Sequence, residues 1–290
     1  NDIDSLIALN HWCNQYGLDT ISAGATISFA IECYENGLIT KEDTGGIELN
    51  WGNASSILQA LHQIGTREDG LGDLLADGVR EAAARIKGGS DEYAIHIDGE
   101  ELPMHDPKLD IGFGPSYKLD PTPGRHTIWS PGKASRFGSR PEGPEDKMQA
   151  EGMGGPLKHA HESTALMNAA GMCYFIYTMS PTDRIPEWIN LVTGWDTTEE
   201  ELQTVGERIT NLRLAFAIKH GNNPIDREVN GRINGEPAQT EGPLAGVTVD
   251  VATMQREWYA EAGWDESTGK PNRDTLEALG LVDVADAIGV

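Results

Sequence analysis

The chain has 290 residues, with 22 Lys and Arg against 46 Asp and Glu, a formal net charge of −24. A surface this acidic repels nucleic-acid phosphates and anionic lipid, which argues against both as partners. No apolar run approaches the roughly 20 residues a membrane span needs, and no charged-then-apolar leader opens the chain, so a protein of the cytoplasm is expected.

Apolar residues Ile3, Leu6, Ile7, Leu9 and Trp12 recur at helical spacing and predict a helix over 2–16. Gly17 fits the position just past its end, with Leu18 folding back on the last turn. Asp19 or Ser22 then caps a largely apolar helix over about 23–36, closed by Asn36-Gly37. A strand-like stretch, Ile47 to Trp51, leads to helices over about 54–66 and 72–86, the second stopping at Gly88-Gly89. Residues 98–154 are rich in Pro and Gly without sustained periodicity, and so long an irregular stretch is often functional. A domain boundary is placed near residue 97, giving helical domains over 1–97 and 98–290. Helices resume over about 156–177 and 198–220. The second is opened by a capping box at Thr197-Thr198-Glu199-Glu200 and ended by Gly221-Asn222. Residues 222–249 read as loop, and helices near 251–262 and 273–280 finish the chain. The fold class is mainly α, two helical domains with long irregular connections, without a βαβ unit or a Gly-rich phosphate loop.

Three cysteines occur, Cys13, Cys33 and Cys173, too few for a disulfide framework over this length, and no pair has metal-ligand spacing. Cys13 and Cys33 are expected in the core. His159, His161 and Glu162 suggest a metal at first sight. However, His-x-His on a helix sets the rings roughly 200° apart, too far round to share one ion, so a solvated helix face is expected. His105, beside Asp106 in a Pro-rich turn, is expected to be structural.

One pattern occurs twice. Asn14-Gln15-Tyr16-Gly17-Leu18-Asp19 and Asn168-Ala169-Ala170-Gly171-Met172-Cys173 both read Asn-x-x-Gly-(Leu/Met)-(Asp/Cys). Its context is specific. The stretch from Trp12 to Ala30 resembles the first Asp-x-x-Gly-Leu-Asp pterin-binding segment of the tungsten-containing aldehyde:ferredoxin oxidoreductase family. Arg67-Glu68-Asp69-Gly70-Leu71-Gly72-Asp73 through Val79 resembles a second block of that family, and Gly99-Glu100-Glu101-Leu102-Pro103-Met104-His105-Asp106-Pro107 a third. Tyr259 to Asp265, with Thr268-Gly269-Lys270-Pro271 and Leu276 to Leu281, is similar to its C-terminus. The four blocks run almost end to end in the family's order.

The resemblance implies the family's two C-terminal domains, with the N-terminal pterin-covering domain and a Cys-x-x-Cys-x-x-x-Cys segment expected to be absent from this chain. It further implies a tungsten (or molybdenum) bis-pterin, with Asn14, Gly17, Leu18 and Asp19 toward one pterin and Asn168, Gly171, Met172 and Cys173 toward the other. Cys173 is implied as one metal ligand of a [4Fe–4S] cluster. His126, in Gly124-Arg125-His126-Thr127, stands where the family carries a catalytic His, and an imidazole that titrates near neutral pH suits proton transfer. The implied partners are ferredoxin or another electron-transfer protein and a small aldehyde, and a homo-oligomer is compatible with the family. Where the family usually has Asp, this chain has Asn14 and Asn168, whose amide oxygens still accept hydrogen bonds. Two alternatives stand beside aldehyde oxidation: a benzoyl-CoA-reductase-like member of the family, and a non-catalytic helical binding or structural module.

Overall fold

A computed structural model describes residues 2–128, 143–144, 146, 148–175 and 184–290. The chain divides into two compact units, one of residues 1–104 with 228–232, the other of 105–227 with 233–290.

The first unit begins with α1 (Ile3–Tyr16), whose free N-terminal amides are met by the Asp2 carboxylate, and ends it at Gly17 in the left-handed region (φ 70). Asp19, rather than Ser22, caps α2 (Thr20–Glu35) through a 2.8 Å bond from the Ser22 amide. That helix buries Ile27, Phe29, Ile31 and Cys33, so it runs through the middle of the core. Around it pack α3 (Ala54–Thr66), α4 (Leu71–Leu75) and α5 (Gly78–Ile86), contributing Leu61, Leu71, Leu75 and Val79. Cys13 and Cys33 lie in this core, where burial raises both thiol pKa values, that of Cys33 to about 12.

A two-residue hairpin, β1 (His96–Ile97) and β2 (Glu100–Glu101), pairs antiparallel across Asp98-Gly99. Both turn residues have positive φ, 55° and 91°, the backbone a tight hairpin requires. The hairpin places the buried Glu101 carboxylate 2.7 Å from the Val79 amide, where a negative charge complements the start of α5. Residues 228–232 join the unit through Arg232, which pairs with Glu32 at 2.8 Å and lies over the Tyr93 ring.

The second unit is organised on α7 (Gly154–Ala169). Before it comes α6 (Phe113–Leu119). After it come α8 (Ile185–Thr193), α9 (Glu199–Lys219), α10 (Gly231–Asn234), α11 (Val251–Ala262), α12 (Arg273–Ala278) and α13 (Val282–Ile288). α7 packs against both α9 and α11. The crossing with α9 is close because Gly206 has no side chain: a Cβ there would lie 2.3 Å from the Glu162 carbonyl oxygen. Tyr117, Trp258, Tyr259 and Trp264 fill the space around α7, and Ala215, Leu276, Ala285 and Ile288 form a smaller cluster.

Several elements differ from their sequence reading. Ile47 to Leu49 alternates buried and exposed as a strand would, yet takes no regular secondary structure, and Ile47 and Leu49 join the core of the first unit. Residues 98–154 contain the hairpin's second strand and α6, whose Gly114 and Pro115 hide a helix in composition. The capping box on α9 uses Thr198 with Glu201, each satisfying the other's backbone amide. α7 stops at Ala169, because Gly171 (φ 72) turns the chain away. The remainder of the helix expected to 177 lies partly outside the described residues.

Candidate functional site

The two echo segments adopt the same local geometry. In the first, the Leu18 amide donates back to the Cys13 carbonyl at 2.9 Å; in the second, the Met172 amide donates to the Met167 carbonyl at 3.2 Å. Each is a six-residue closure around a glycine in the left-handed region, Gly17 at 70° and Gly171 at 72°. The hydrophobic residue after each glycine anchors the turn: Leu18 against the core of the first unit, Met172 against Leu166, Met167, Ile185 and Leu202. At neither glycine would an added Cβ meet an atom within 4 Å, so both turns present open backbone. Open space there suits the close approach of a flat ligand.

The polar residues flank these turns. Asn14 is exposed and its amide nitrogen donates to the Asn10 carbonyl at 3.0 Å, so the amide oxygen is the acceptor this side chain can offer. Asp19 directs Oδ1 at the Ser22 amide. Asn168 is exposed on the last turn of α7, and its carbonyl takes the Gly171 amide. Cys173 is an exposed free thiol, unlike the two core cysteines. Among the described residues, no group of three or more His, Cys, Asp or Glu side chains is placed to hold a metal ion. Open backbone, two amide side chains, one carboxylate and one exposed thiol are what these segments offer a ligand.

His126 is half-buried in the irregular segment after α6. Its ring stacks on His105 at 5.1 Å, His105 on Phe113 at 5.2 Å, and Phe113 on Tyr117 at 5.5 Å. The Tyr117 hydroxyl donates to the His105 carbonyl at 2.7 Å. His105 thus belongs to the support of His126 and is more than a turn residue.

The expectation of a solvated face for His159, His161 and Glu162 is overturned: all three are buried. α7 is buried at every position from His159 to Met167, so its polar residues there need internal partners. His161 Nε2 lies 3.0 Å from Ser116 Oγ, its Nδ1 lies 3.5 Å from Asp120 Oδ2, and its ring packs on Trp258 at 4.2 Å. The connectivity is Ser-His-Asp, but Ser116 is fully buried and no substrate can reach it, which rules out a nucleophile. Burial lowers the His161 pKa against the pull of Asp120, so the ring is neutral near pH 7. Burial alone would raise the Asp120 pKa; His161 and Arg213 more than offset it and hold the carboxyl below the usual range.

On the α9 side, Glu162 accepts from Gln203 at 2.7 Å and pairs with Lys158 at 2.8 Å, and Lys158 also pairs with Glu207 at 3.1 Å. Burial pushes the Glu162 carboxyl up to about 7, with Lys158 opposing. Burial likewise works against the Lys158 charge, but Glu162 and Glu207 keep its pKa raised.

Sequence reasoning missed Asp120, Arg213 and Arg227, which anchor the segment leading to His126. The Asp120-Pro121 pair is a turn signal and Arg213 interrupts the apolar run from Leu212 to Phe216; those were the available clues. A cavity of about 680 Å³ in the first unit, lined by Trp12, Gln59, His62 and Gln63, opens on a different flank of α1 from Asn14. Trp12 and Asn14 are roughly 200° apart around the helix.

The chain is mainly helical, in two compact units, and carries two matching turns of open backbone. Comparison with known proteins gives the family. The family model for aldehyde ferredoxin oxidoreductase, domains 2 and 3, matches residues 1–281. The chain belongs to that family. Relatives include the tungsten-containing aldehyde ferredoxin oxidoreductases of Pyrococcus abyssi, 33% identical over 97% of this chain and 46% of that protein, and of Pyrococcus furiosus, 34% identical over 98% of this chain and 46% of that protein. The chain thus spans about half the length of the curated relatives it matches. In fold it is similar to the active-site complex BamBC of benzoyl coenzyme A reductase in complex with 1,5-dienoyl-CoA. That likeness has a TM-score of 0.70 and 22% identity, over 99% of this chain and 47% of that one. No described helix is long and apolar enough to cross a membrane.

Proposed function

We propose that this chain is the C-terminal part of a tungsten-bispterin, iron–sulfur oxidoreductase of the cytoplasm that oxidises a small aldehyde to its carboxylic acid and passes electrons to ferredoxin. The observation that carries the reading is the pair of like turns at Gly17 and Gly171, each with open backbone and a polar flank. The metal–pterin group, when bound, supplies the two-electron chemistry. In this chain, the Asn14 amide oxygen and the Asp19 carboxylate offer acceptors to pterin N–H groups, and the carboxylate is the stronger per bond. Asn168 and the Gly171 turn do the same for the second pterin, and Cys173 gives one thiolate to the cluster. Aldehyde plus water yields acid, two electrons and two protons. His126 is the group that accepts and releases a proton at its ring nitrogen, held in plane by the His105 stack. The other cluster ligands and the cover over the pterins come from the half that the relatives have in addition, in cis or in trans. With a net charge of −24, docking of an acidic ferredoxin needs a local basic patch or screening by salt.

A second reading, reduction of an aromatic CoA thioester, is favoured by the likeness in fold to the benzoyl coenzyme A reductase complex. Turnover by the assembled, metal-loaded protein separates the two. Aldehyde-dependent reduction of ferredoxin or viologen dye, lowered about 10²- to 10⁴-fold by His126→Ala, supports the first. Turnover confined to CoA thioesters supports the second, and a His126→Ala variant as active as the parent removes His126 from the chemistry.

A further inference from the structure

We propose that Asp120, with Arg213 and Arg227, positions the segment that presents His126; the functional meaning of this rests on the reading of His126 as the proton-transfer group. The segment from Asp120 to Ile128 has no regular secondary structure, so its backbone polar groups need other partners. They find them in a compact knot. Asp120 is 1% exposed, and its Oδ1 accepts from the Thr122 amide at 2.8 Å and from Arg213 Nη2 at 2.9 Å. Oδ2 accepts from Arg213 Nη1 at 3.2 Å, which makes the pair bidentate, and Arg213 Nη2 also reaches Thr122 Oγ1 at 3.0 Å.

Arg227 fastens the preceding carbonyls. Its Nη1 donates to Lys118 O at 2.8 Å and to Asp120 O; its Nη2 donates to Pro121 O at 3.1 Å and is oriented by Asn222 Oδ1 at 2.8 Å. Further along, the Gly124 amide donates to Tyr117 O at 3.0 Å, and Thr164 Oγ1 on α7 donates to Ile128 O at 3.2 Å. The backbone is thereby tied at 120, 121, 122, 124 and 128, and His126 lies between the last two ties.

A buried aspartate paired with an arginine is a costly arrangement if its only result is stability, since apolar packing does that as well. What it adds is direction. A carboxylate accepting from both an amide and a guanidinium admits one course of the backbone, and the ring of a proton-transfer residue must be held within about half an ångström. The stack on His105 then sets the plane of the imidazole that the knot has placed. Asp120, Arg213 and Arg227 are positioning residues in this arrangement, and none is placed to touch the reactants.

The test compares Arg213→Gln and Arg213→Lys with the parent, in this chain and in the assembled enzyme. Arg213 keeps 30% of its side chain exposed, so its replacement is better tolerated than that of Asp120. In the chain, amide exchange at Thr122 and Gly124 rises about tenfold or more in Arg213→Gln, as loss of a charged hydrogen bond implies, while the α11 amides stay unchanged. The ¹⁵N signals of the His126 ring shift and broaden. Arg213→Lys, which retains the charge but not the fork, falls between the two. In the assembled enzyme kcat drops in the same order while KM is little altered. Unchanged exchange at Thr122 and Gly124, or a kcat loss without any change at the His126 ring, overturns the positioning role. If exchange rises and the ring signals move but His126→Ala is fully active, the knot stands and the catalytic reading of His126 fails instead.

Discussion

Replacing Glu162 by Gln removes one buried carboxyl and leaves its surroundings in place, because Lys158 keeps Glu207 at 3.1 Å and Gln203 still has an amide to bond. Burial raises Glu162 from the ordinary glutamate value of 4.5 to about 7. The folded protein therefore binds this proton more tightly than the unfolded chain does, and stability must fall as pH rises between those two values. At about 1.4 kcal/mol per pH unit from 4.5 to about 7, the full loss attributable to Glu162 is about 3.5 kcal/mol. His161 works in the opposite sense. Its pKa is lowered on folding, so the unfolded chain binds that proton more tightly, and stability rises with pH up to about 6.5. The difference between parent and variant cancels the His161 contribution. Urea unfolding at pH 5 and pH 8.5 measures it. The parent is expected to lose roughly 2–3 kcal/mol relative to Glu162→Gln over that range. Equal pH slopes in the two proteins would refute the assignment of a neutral-range pKa to Glu162.

The glycines separate two causes of cost. Gly171→Ala places a Cβ in open space but in the left-handed region, and is expected to cost about 1–2 kcal/mol, read by thermal unfolding. Gly206→Ala drives a Cβ to 2.3 Å from the Glu162 carbonyl oxygen, so the α7–α9 crossing must open, and a larger loss of roughly 2–4 kcal/mol is expected. A smaller effect at Gly206 than at Gly171 would contradict the packing described here.

Much of the fold was legible because its signals are local. The amphipathic face of α3, the Asp19 cap, and glycine stops at Gly17 and Gly221 act within one or two turns of chain, and the sequence displays them directly. The paired Asn-x-x-Gly pattern was legible for the same reason: both glycines close a helix by the same backbone bond. What sequence could not display depends on tertiary burial. Isolated on a helical wheel, His161 and Glu162 look like a polar face, and only the packing of α9 and α11 around α7 makes them interior. The Asp120–Arg213 pair is 93 residues apart in sequence, beyond any local pattern. α6 was missed because Gly114 and Pro115 disfavour a helix in isolation. Gly114 is required there by proximity, since a Cβ would lie 2.8 Å from Val251 Cγ2.

The central claim is that the two turns and Cys173 serve a tungsten-pterin centre and an iron–sulfur cluster, and elemental analysis tests it most directly. Protein assembled anaerobically with the family's other half should carry about one tungsten and roughly four iron atoms per chain. Cys173→Ser, at an exposed position where stability should change by no more than about 0.5 kcal/mol, should lose iron while remaining folded. Finding neither metal in the assembled parent protein, or full iron in Cys173→Ser, would contradict the account.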